Sequence, residues 1–168
     1  MTNAPRLQAS GPPPRWPRAL QDETTKADSR NAGQALSDVG TPCLILDRDR
    51  MDRNVSRLRA RLEPLNVELR PHLKTTKSID VARRVMTTSS GPATVSTLKE
   101  AEQFAKSGVT DLTYAVGISP DKFERVLALR ANGVDLTVTL DTVEQARAVA
   151  SASREAGTAI PAFIEIDC

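Results

Sequence analysis

Short runs of apolar residues alternate with longer amphipathic segments from Thr41 onward. The short runs are rich in residues that favour strands, and the segments between them have the periodicity of helices. Parallel sheets covered by helices have this alternation, because the connection between two parallel strands usually contains a helix. The pattern therefore predicts an α/β fold. The predicted strands are Cys43–Leu46, Val67–Lys74, Ala93–Ser96, Leu112–Val116, Val134–Leu140 and Pro161–Asp167.

The segments between the predicted strands carry signals for the start and the end of helices. In a capping box, a threonine hydroxyl and a side chain three residues later bind the first free amide groups of a helix. The predicted starts are Thr97 with Glu100, Ser119 with Pro120, and Thr142 with Gln145, and the predicted ends are Gly108, Gly133 and Gly157. An apolar stripe predicts an earlier helix and comprises Met51, Val55, Leu58 and Leu62.

Five strand–helix units followed by a sixth strand amount to more than half of an eight-stranded barrel. A complete barrel of this kind typically needs about 250 residues, whereas the whole chain has 168. We therefore predict a partial (β/α)8 TIM barrel that is truncated after about six strands. An open doubly wound sheet is the alternative that the same order of elements allows.

Residues 1–38 differ in character from the rest of the chain. They are polar, lack a sustained apolar period and contain Pro5, Pro12, Pro13, Pro14 and Pro17. Such a segment buries too little apolar surface to offset the loss of chain entropy. We predict a disordered tail over residues 1–38 and the incomplete barrel over residues 39–168. A start codon assigned too far upstream would produce the same pattern.

Charge and cysteine content narrow the class of protein. The formal net charge is +2, and its 23 basic and 21 acidic residues are spread along the chain, which argues against a nucleic-acid partner. Cys43 and Cys168 are too few and too far apart for a disulfide framework, so we predict two small buried apolar residues in a reducing compartment. We found no apolar run of membrane-spanning length and no signal peptide, and these features predict a cytoplasmic protein without a membrane partner.

Candidate chemistry is concentrated in the predicted strand Val67–Lys74. Alternation along a strand places Arg70, His72 and Lys74 on one face, which points inward in a barrel. Three potentially cationic groups on an inward face need an anionic guest or acidic neighbours. Lys74 would lie at the carboxyl end of its strand, where barrel active sites are built, and crowding by cations favours the uncharged amine that forms a Schiff base. A solvent-facing charged strand fits the local pattern equally well.

Three further residues have alternative interpretations. Glu165 and Asp167 alternate onto one face of the last predicted strand and could neutralise the cations across the barrel, or they could belong to a solvated chain end. Tyr114, the one tyrosine, lies on a predicted strand among apolar residues, which favours a packing role. His72 is the one histidine, and the sequence supports a structural role and a pocket role about equally.

The run Arg70-Pro71-His72-Leu73-Lys74-Thr75-Thr76-Lys77 resembles the R-P-H-x-K-x-H-K signature of the D-threonine aldolase and eukaryotic-type D-serine dehydratase family. The N-terminal domain of that family is the alanine-racemase type of barrel. The resemblance extends from about Asp38 to Cys168. It includes the segments Asp38–Pro42, Ser96–Glu102 and Ile164–Cys168.

The resemblance implies roles for individual residues. Lys74 would carry pyridoxal 5'-phosphate as a Schiff base and act as the base in the reaction. Arg70 and His72 would be neighbours that tune the charge around the cofactor ring. Thr76 departs from the signature, which has a histidine there, and a threonine hydroxyl can donate a hydrogen bond but cannot act as a base near pH 7.

The resemblance also implies an activity, namely a lyase that cleaves the Cα–Cβ bond of D-3-hydroxyamino acids to glycine and an aldehyde. A D-serine dehydratase, an alanine-racemase-like enzyme, a non-catalytic cofactor carrier and an inactive remnant are the alternatives. The partner would be a small D-amino acid, and the full-length form could be a homodimer. By the resemblance, the phosphate site and a divalent metal, manganese or zinc, belong to a C-terminal region beyond this chain. We expect the chain alone to be inactive and poorly soluble, because an unclosed sheet leaves an unpaired edge.

Overall fold

The computed structural model describes residues 33–166. Most of the predicted disordered tail therefore lies outside the described residues, and so do Asp167 and Cys168. Near the start of the described part, Leu36–Asp38 form a short 3-10 turn with no buried residue. The prediction of a disordered tail is not tested by this turn and stays a prediction.

The described residues form five α-helices and a sheet of four strands. The helices are α1 (Arg48–Leu62), α2 (Ile79–Val85), α3 (Leu98–Lys106), α4 (Phe123–Ala131) and α5 (Val143–Glu155). The strands are β1 (Ala93–Val95), β2 (Asp111–Gly117), β3 (Asp135–Leu140) and β4 (Ala162–Ile164). The fold is thus α/β, as predicted.

All four strands are parallel, and their order in the sheet is the order in the chain, β1-β2-β3-β4. A doubly wound sheet reverses its strand order at a switch point, whereas a barrel adds each strand beside the previous one. The sequential order therefore favours the barrel over the doubly wound alternative. With helices between successive strands, the described part is a section of a (β/α) barrel.

The core lies between the sheet and its helices. Leu112, Tyr114, Leu136 and Val138 alternate along β2 and β3 toward the helices and are almost fully buried. From α4, Val126 packs into the same cluster with no exposed surface. Tyr114 is 2% exposed, which agrees with the predicted packing role. This layer fixes the strands whose carboxyl ends carry the candidate site.

The first predicted strand, Cys43–Leu46, is absent from the described structure. These residues have no strand conformation, and Leu44 and Cys43 are exposed, so the prediction of a buried Cys43 was wrong. A strand is stable only when its backbone pairs with a neighbouring strand. In a barrel that neighbour would be the next predicted strand, Val67–Lys74, which forms only an isolated bridge to β1.

The second predicted strand, Val67–Lys74, is reduced to one isolated bridge. His72 pairs with Thr94 of β1, the Leu73 amide donates to the Thr94 carbonyl at 2.9 Å, and the Thr94 amide donates to the Pro71 carbonyl at 2.8 Å. Pro71 has no amide hydrogen, so it cannot extend the ladder. The chain turns immediately afterwards, and Lys77 donates its amide to Leu73. Four of the six predicted strands are therefore present in the described residues.

The helix starts predicted from capping boxes agree with the structure more closely than the predicted strands do. Both predicted capping boxes form, at Thr97 with Glu100 and at Thr142 with Gln145. Ser119 makes no side-chain cap, because the segment after it begins as a 3-10 turn rather than as α-helix. Helix α2 was missed, since its seven residues are too few to show a clear apolar period. No helix described between residues 33 and 166 has both the length and the apolarity needed to cross a bilayer.

Candidate functional site

Lys74 lies in the turn between the His72 bridge and the start of α2. Its side chain is exposed, and it forms no ion pair with another residue of the described part. The bridge runs parallel to β1, so the turn leaves the sheet at the end where parallel strands finish. The predicted position of Lys74 therefore agrees with the structure. Its role as the cofactor lysine stays a prediction.

His72 is held by a hydrogen bond to the residue that follows β1. Its Nε2 atom lies 2.8 Å from the Ser96 hydroxyl oxygen. Partial removal from water lowers the pKa of His72 below its ordinary value of 6.5, the charge of Lys74 lowers it further, and Glu100 opposes part of the shift. The lowered pKa makes His72 predominantly neutral at pH 7.

Glu100 is a buried carboxylate with three partners. Its side chain is 7% exposed. One oxygen accepts hydrogen bonds from the amides of Ser96 at 2.8 Å and Thr97 at 3.3 Å, and the other lies 3.1 Å from Lys77 Nζ. Burial alone would raise the pKa of Glu100, but the Ser96 hydrogen bond and the Lys77 ammonium outweigh it, so the net pKa is lowered. The carboxylate is thus ionised at neutral pH.

Arg70 contacts a different part of the sheet. Its Nη1 atom lies 2.7 Å from Asp111 Oδ1 and 3.4 Å from the Ala93 carbonyl oxygen. Asp111 and Ala93 are the first residues of β2 and β1, so the guanidinium lies at the amino end of the strands. Lys74 lies four residues further along the segment. The predicted role of Arg70 beside the cofactor ring is untested, and the contact observed here anchors the segment to the sheet.

The sequence offered Glu165 and Asp167 on the last predicted strand as one possible source of acidic neighbours, but it did not identify the acidic residues that the structure shows. Asp111 neutralises Arg70, and Glu100 neutralises Lys77. Glu165 takes part in none of the ion pairs among the described residues, and Asp167 lies outside them. Glu100 was recognised only as a helix cap. Its ion pair with Lys77 could not be predicted from the local sequence, because Lys77 lies 23 positions earlier in the chain.

The face of the sheet opposite the helices carries threonines. Thr94, Thr113 and Thr137 pair in register across β1, β2 and β3, and His72 extends the same row through its bridge to Thr94. Thr139 donates its hydroxyl to the Tyr114 carbonyl at 2.9 Å. The inward face of this barrel section is therefore polar where it approaches the Lys74 turn.

A groove of about 480 Å³ lies on the helical side of the same turn, between the start of α2 and α3. Lys77, Glu100 and Phe104 are among its lining residues, whereas Lys74 is not. No cluster of three or more His, Cys, Asp or Glu residues suited to a metal ion occurs within residues 33–166.

Strands in sequential parallel order, their covering helices and a lysine-bearing turn define one section of a (β/α) barrel. Residues 46–168 match the alanine racemase N-terminal domain, and the chain belongs to that family. The family resemblance and the fold class predicted from the sequence are thereby confirmed.

Several proteins of known activity or structure are similar to this chain. It is 45% identical over 132 residues to the D-threo-3-hydroxyaspartate dehydratase of Delftia sp. strain HT23. The aligned region covers 79% of this chain and 35% of that protein. It is 33% identical over 139 residues to the 3-hydroxy-D-aspartate aldolase of Paracoccus denitrificans, and the aligned region covers 81% of this chain and 36% of the aldolase. The crystal structure of an alanine racemase-like protein from Idiomarina loihiensis superposes with a TM-score of 0.75 at 46% identity, covering 78% and 35%. The chain thus spans about a third of the length of these relatives.

The family implies pyridoxal phosphate, and the described residues can be tested for their fit to it. An amine that condenses with an aldehyde must be accessible and free of a permanent ion pair. Lys74 meets both conditions within the described part, because its side chain is exposed and takes part in none of the ion pairs there. The residues present therefore fit the aldehyde end of the cofactor.

The low pKa of Glu100 makes the stability of the fold depend on pH. A carboxyl group whose pKa is lower in the folded state than its ordinary value of 4.5 stabilises the fold above that pH, and the contribution disappears as the pH falls through the folded value. Glu100→Gln should retain the capping box, because Gln145 forms the same box in α5. We expect Glu100→Gln to lower the free energy of unfolding by about 1 kcal/mol at neutral pH, with a smaller difference below about pH 4. Urea unfolding at several pH values measures this.

Glu102→Gln is the matched control on the same helix. Glu102 binds Arg125 at 2.8 Å on the surface, where an ion pair contributes less than about 1 kcal/mol. We expect little change in stability from this variant at any pH. A difference between wild type and Glu100→Gln that stayed constant down to about pH 3 would contradict the lowered pKa.

Proposed function

We propose that the protein to which this chain belongs is a pyridoxal-phosphate-dependent lyase of D-3-hydroxyamino acids. The observation that carries the proposal is the position of Lys74, an exposed amine in a turn at the carboxyl end of the parallel strands. The activities of the Delftia and Paracoccus relatives, which are both named for 3-hydroxyaspartate chemistry, support it. A small D-amino acid is then the substrate, and a divalent metal, a homodimer and a cytoplasmic location remain part of the proposal.

Each residue of the site has a defined task in this proposal. Lys74 would hold the cofactor through its amine, at the cofactor's aldehyde carbon, and the same amine would take or return the proton at the substrate α-carbon. Pyridoxal phosphate, when bound, accepts the electrons released as a bond to that carbon breaks. His72, held by its hydrogen bond to Ser96, lies beside Lys74 as a polar neighbour of the bound cofactor.

The sequence motif favoured cleavage of the Cα–Cβ bond, and elimination of water was the alternative. The higher identity with the Delftia dehydratase, 45% against 33% for the Paracoccus aldolase, favours elimination. Both reactions begin at the same lysine and accept the same class of substrate, a D-amino acid with a hydroxyl group on the β-carbon. The products distinguish them.

The test uses the full-length protein, pyridoxal phosphate, manganese and the two C3 epimers of 3-hydroxy-D-aspartate. Elimination of water yields oxaloacetate and ammonia, whereas cleavage between Cα and Cβ yields glycine and glyoxylate. We expect one of these product pairs, with ammonia favoured. If the cofactor were bound covalently but neither pair formed with or without manganese, and D-threonine and D-serine were also left unchanged, the lyase proposal would be overturned in favour of a non-catalytic carrier.

A further inference from the structure

Lys77, three residues after Lys74, has a backbone conformation that lysine seldom adopts. Its φ angle is +49°, in the left-handed region. A side chain with a β-carbon is disfavoured there, because that carbon crowds the following carbonyl oxygen. Such a conformation persists only where surrounding contacts hold it, and it is found preferentially at functional sites.

Two contacts hold Lys77 in this conformation. Its amide donates to the Leu73 carbonyl at 3.0 Å, and its ammonium lies 3.1 Å from Glu100 Oε1. Leu73 is itself buried and donates its amide to Thr94 of β1. The turn from Leu73 to Lys77 is thus attached to the sheet at one end and to α3 at the other, with Lys74 between the two attachments.

Glu100 connects this turn to the other polar residues of the site. The same carboxylate binds the amides of Ser96 and Thr97, and the Ser96 hydroxyl shares a hydrogen bond with His72. A buried carboxylate with all of these partners has little freedom to move. Glu100 therefore contacts Lys77 directly and is linked to His72 through Ser96, so it connects the residues on the two sides of Lys74.

We propose that Lys77 and Glu100 are positioning residues, whose ion pair holds the turn Leu73–Lys77 closed and so fixes the direction in which the Lys74 amine is presented. This inference rests on the proposed function, in which Lys74 binds the cofactor. Neither residue needs to touch the cofactor. Loss of the pair leaves Lys74 in place in the sequence but allows its turn to sample other conformations, which weakens cofactor binding.

The test compares three replacements of Lys77 in the full-length protein loaded with pyridoxal phosphate. Lys77→Met removes the ion pair and should raise the dissociation constant of pyridoxal phosphate about fivefold, or about 1 kcal/mol. It should also reduce the visible circular dichroism of the lysine-bound cofactor, which reports a fixed orientation. Lys77→Arg retains the charge and should restore both readouts to nearly the wild-type values.

Lys77→Gly separates positioning from general stability. Glycine adopts the left-handed conformation without strain, and this gain offsets the lost ion pair with Glu100, so the fold should unfold at nearly the wild-type denaturant concentration. The ion pair is nevertheless lost, so the dissociation constant should rise as it does in Lys77→Met. A merely structural role of Lys77 would change stability and cofactor binding together.

Two outcomes are decisive, and they concern different claims. If borohydride labels Lys74 in the wild type but Lys77→Met and Lys77→Gly bind the cofactor as tightly as the wild type, with the same circular dichroism, the positioning role is wrong. If borohydride labels a different lysine in the wild type, the proposed function itself fails. Glu102→Gln, which breaks the surface pair with Arg125 on the same helix, is expected to leave both readouts unchanged.

Discussion

Lys74→Ala is expected to abolish covalent binding of pyridoxal phosphate and to lower turnover of 3-hydroxy-D-aspartate by about a thousandfold or more. Removal of a group that acts both as the nucleophile and as the base has effects of this size. The visible absorbance band of the lysine-bound cofactor should be missing from the variant. Borohydride reduction followed by peptide mapping should label Lys74 in the wild type and no lysine in the variant.

The fold itself should tolerate this substitution. The Lys74 side chain is exposed and has no ion pair with the described residues, so its removal should change the free energy of unfolding by less than about 0.5 kcal/mol. Lys99→Ala is the control, because Lys99 is an exposed lysine on α3 that makes no ion pair in the described part. Equal loss of the absorbance band in both variants would contradict the assignment of Lys74.

Among the replacements of a described glycine by alanine, Gly91→Ala is expected to lower the stability of the fold the most. Gly91 has a φ angle of +128°, and an added β-carbon would lie 2.7 Å from the Asp111 carbonyl oxygen. The backbone must therefore shift at the point where Arg70 binds Asp111. We expect a loss of about 3 kcal/mol, from the disfavoured φ angle and the steric clash together.

Gly108→Ala measures the contribution of the φ angle alone. Its φ angle is +91°, but an added β-carbon would meet no atom within 4 Å. The expected loss is therefore about 1 kcal/mol. Urea unfolding of both variants provides the comparison, and losses of equal size would show that the contact with Asp111 contributes nothing.

The parts of the fold that could be predicted are those whose signal is local. The capping boxes at Thr97 and Thr142 depend on two residues three positions apart, and both form. Strands β1, β2 and β3 each lie between two helices in the sequence and have buried residues, whereas β4 follows α5 and is exposed. The segment Val67–Lys74 has the composition of a strand, but Pro71 and the single partner β1 limit it to one bridge. Strand length here depends on neighbours that the local sequence does not reveal.

The sequence predicted a site made of Lys74 and its neighbours Arg70 and His72. It could not predict the ion pairs that the structure shows around them. Arg70 and Asp111 are 41 positions apart, and Lys77 and Glu100 are 23 positions apart. Pairs at such separations depend on how the strands and helices pack. The left-handed backbone at Lys77 had no signal either, because glycine and asparagine are the residues that favour it.

The sequential order of the strands has a consequence for how the chain reaches its structure. Each of β2, β3 and β4 pairs with the strand that immediately precedes it in the sequence. Pairing therefore requires only segments that have already left the ribosome when each new strand emerges, and every loop to be closed is short. This arrangement is suited to vectorial assembly during synthesis, in which the N-terminal units act as the template for those that follow.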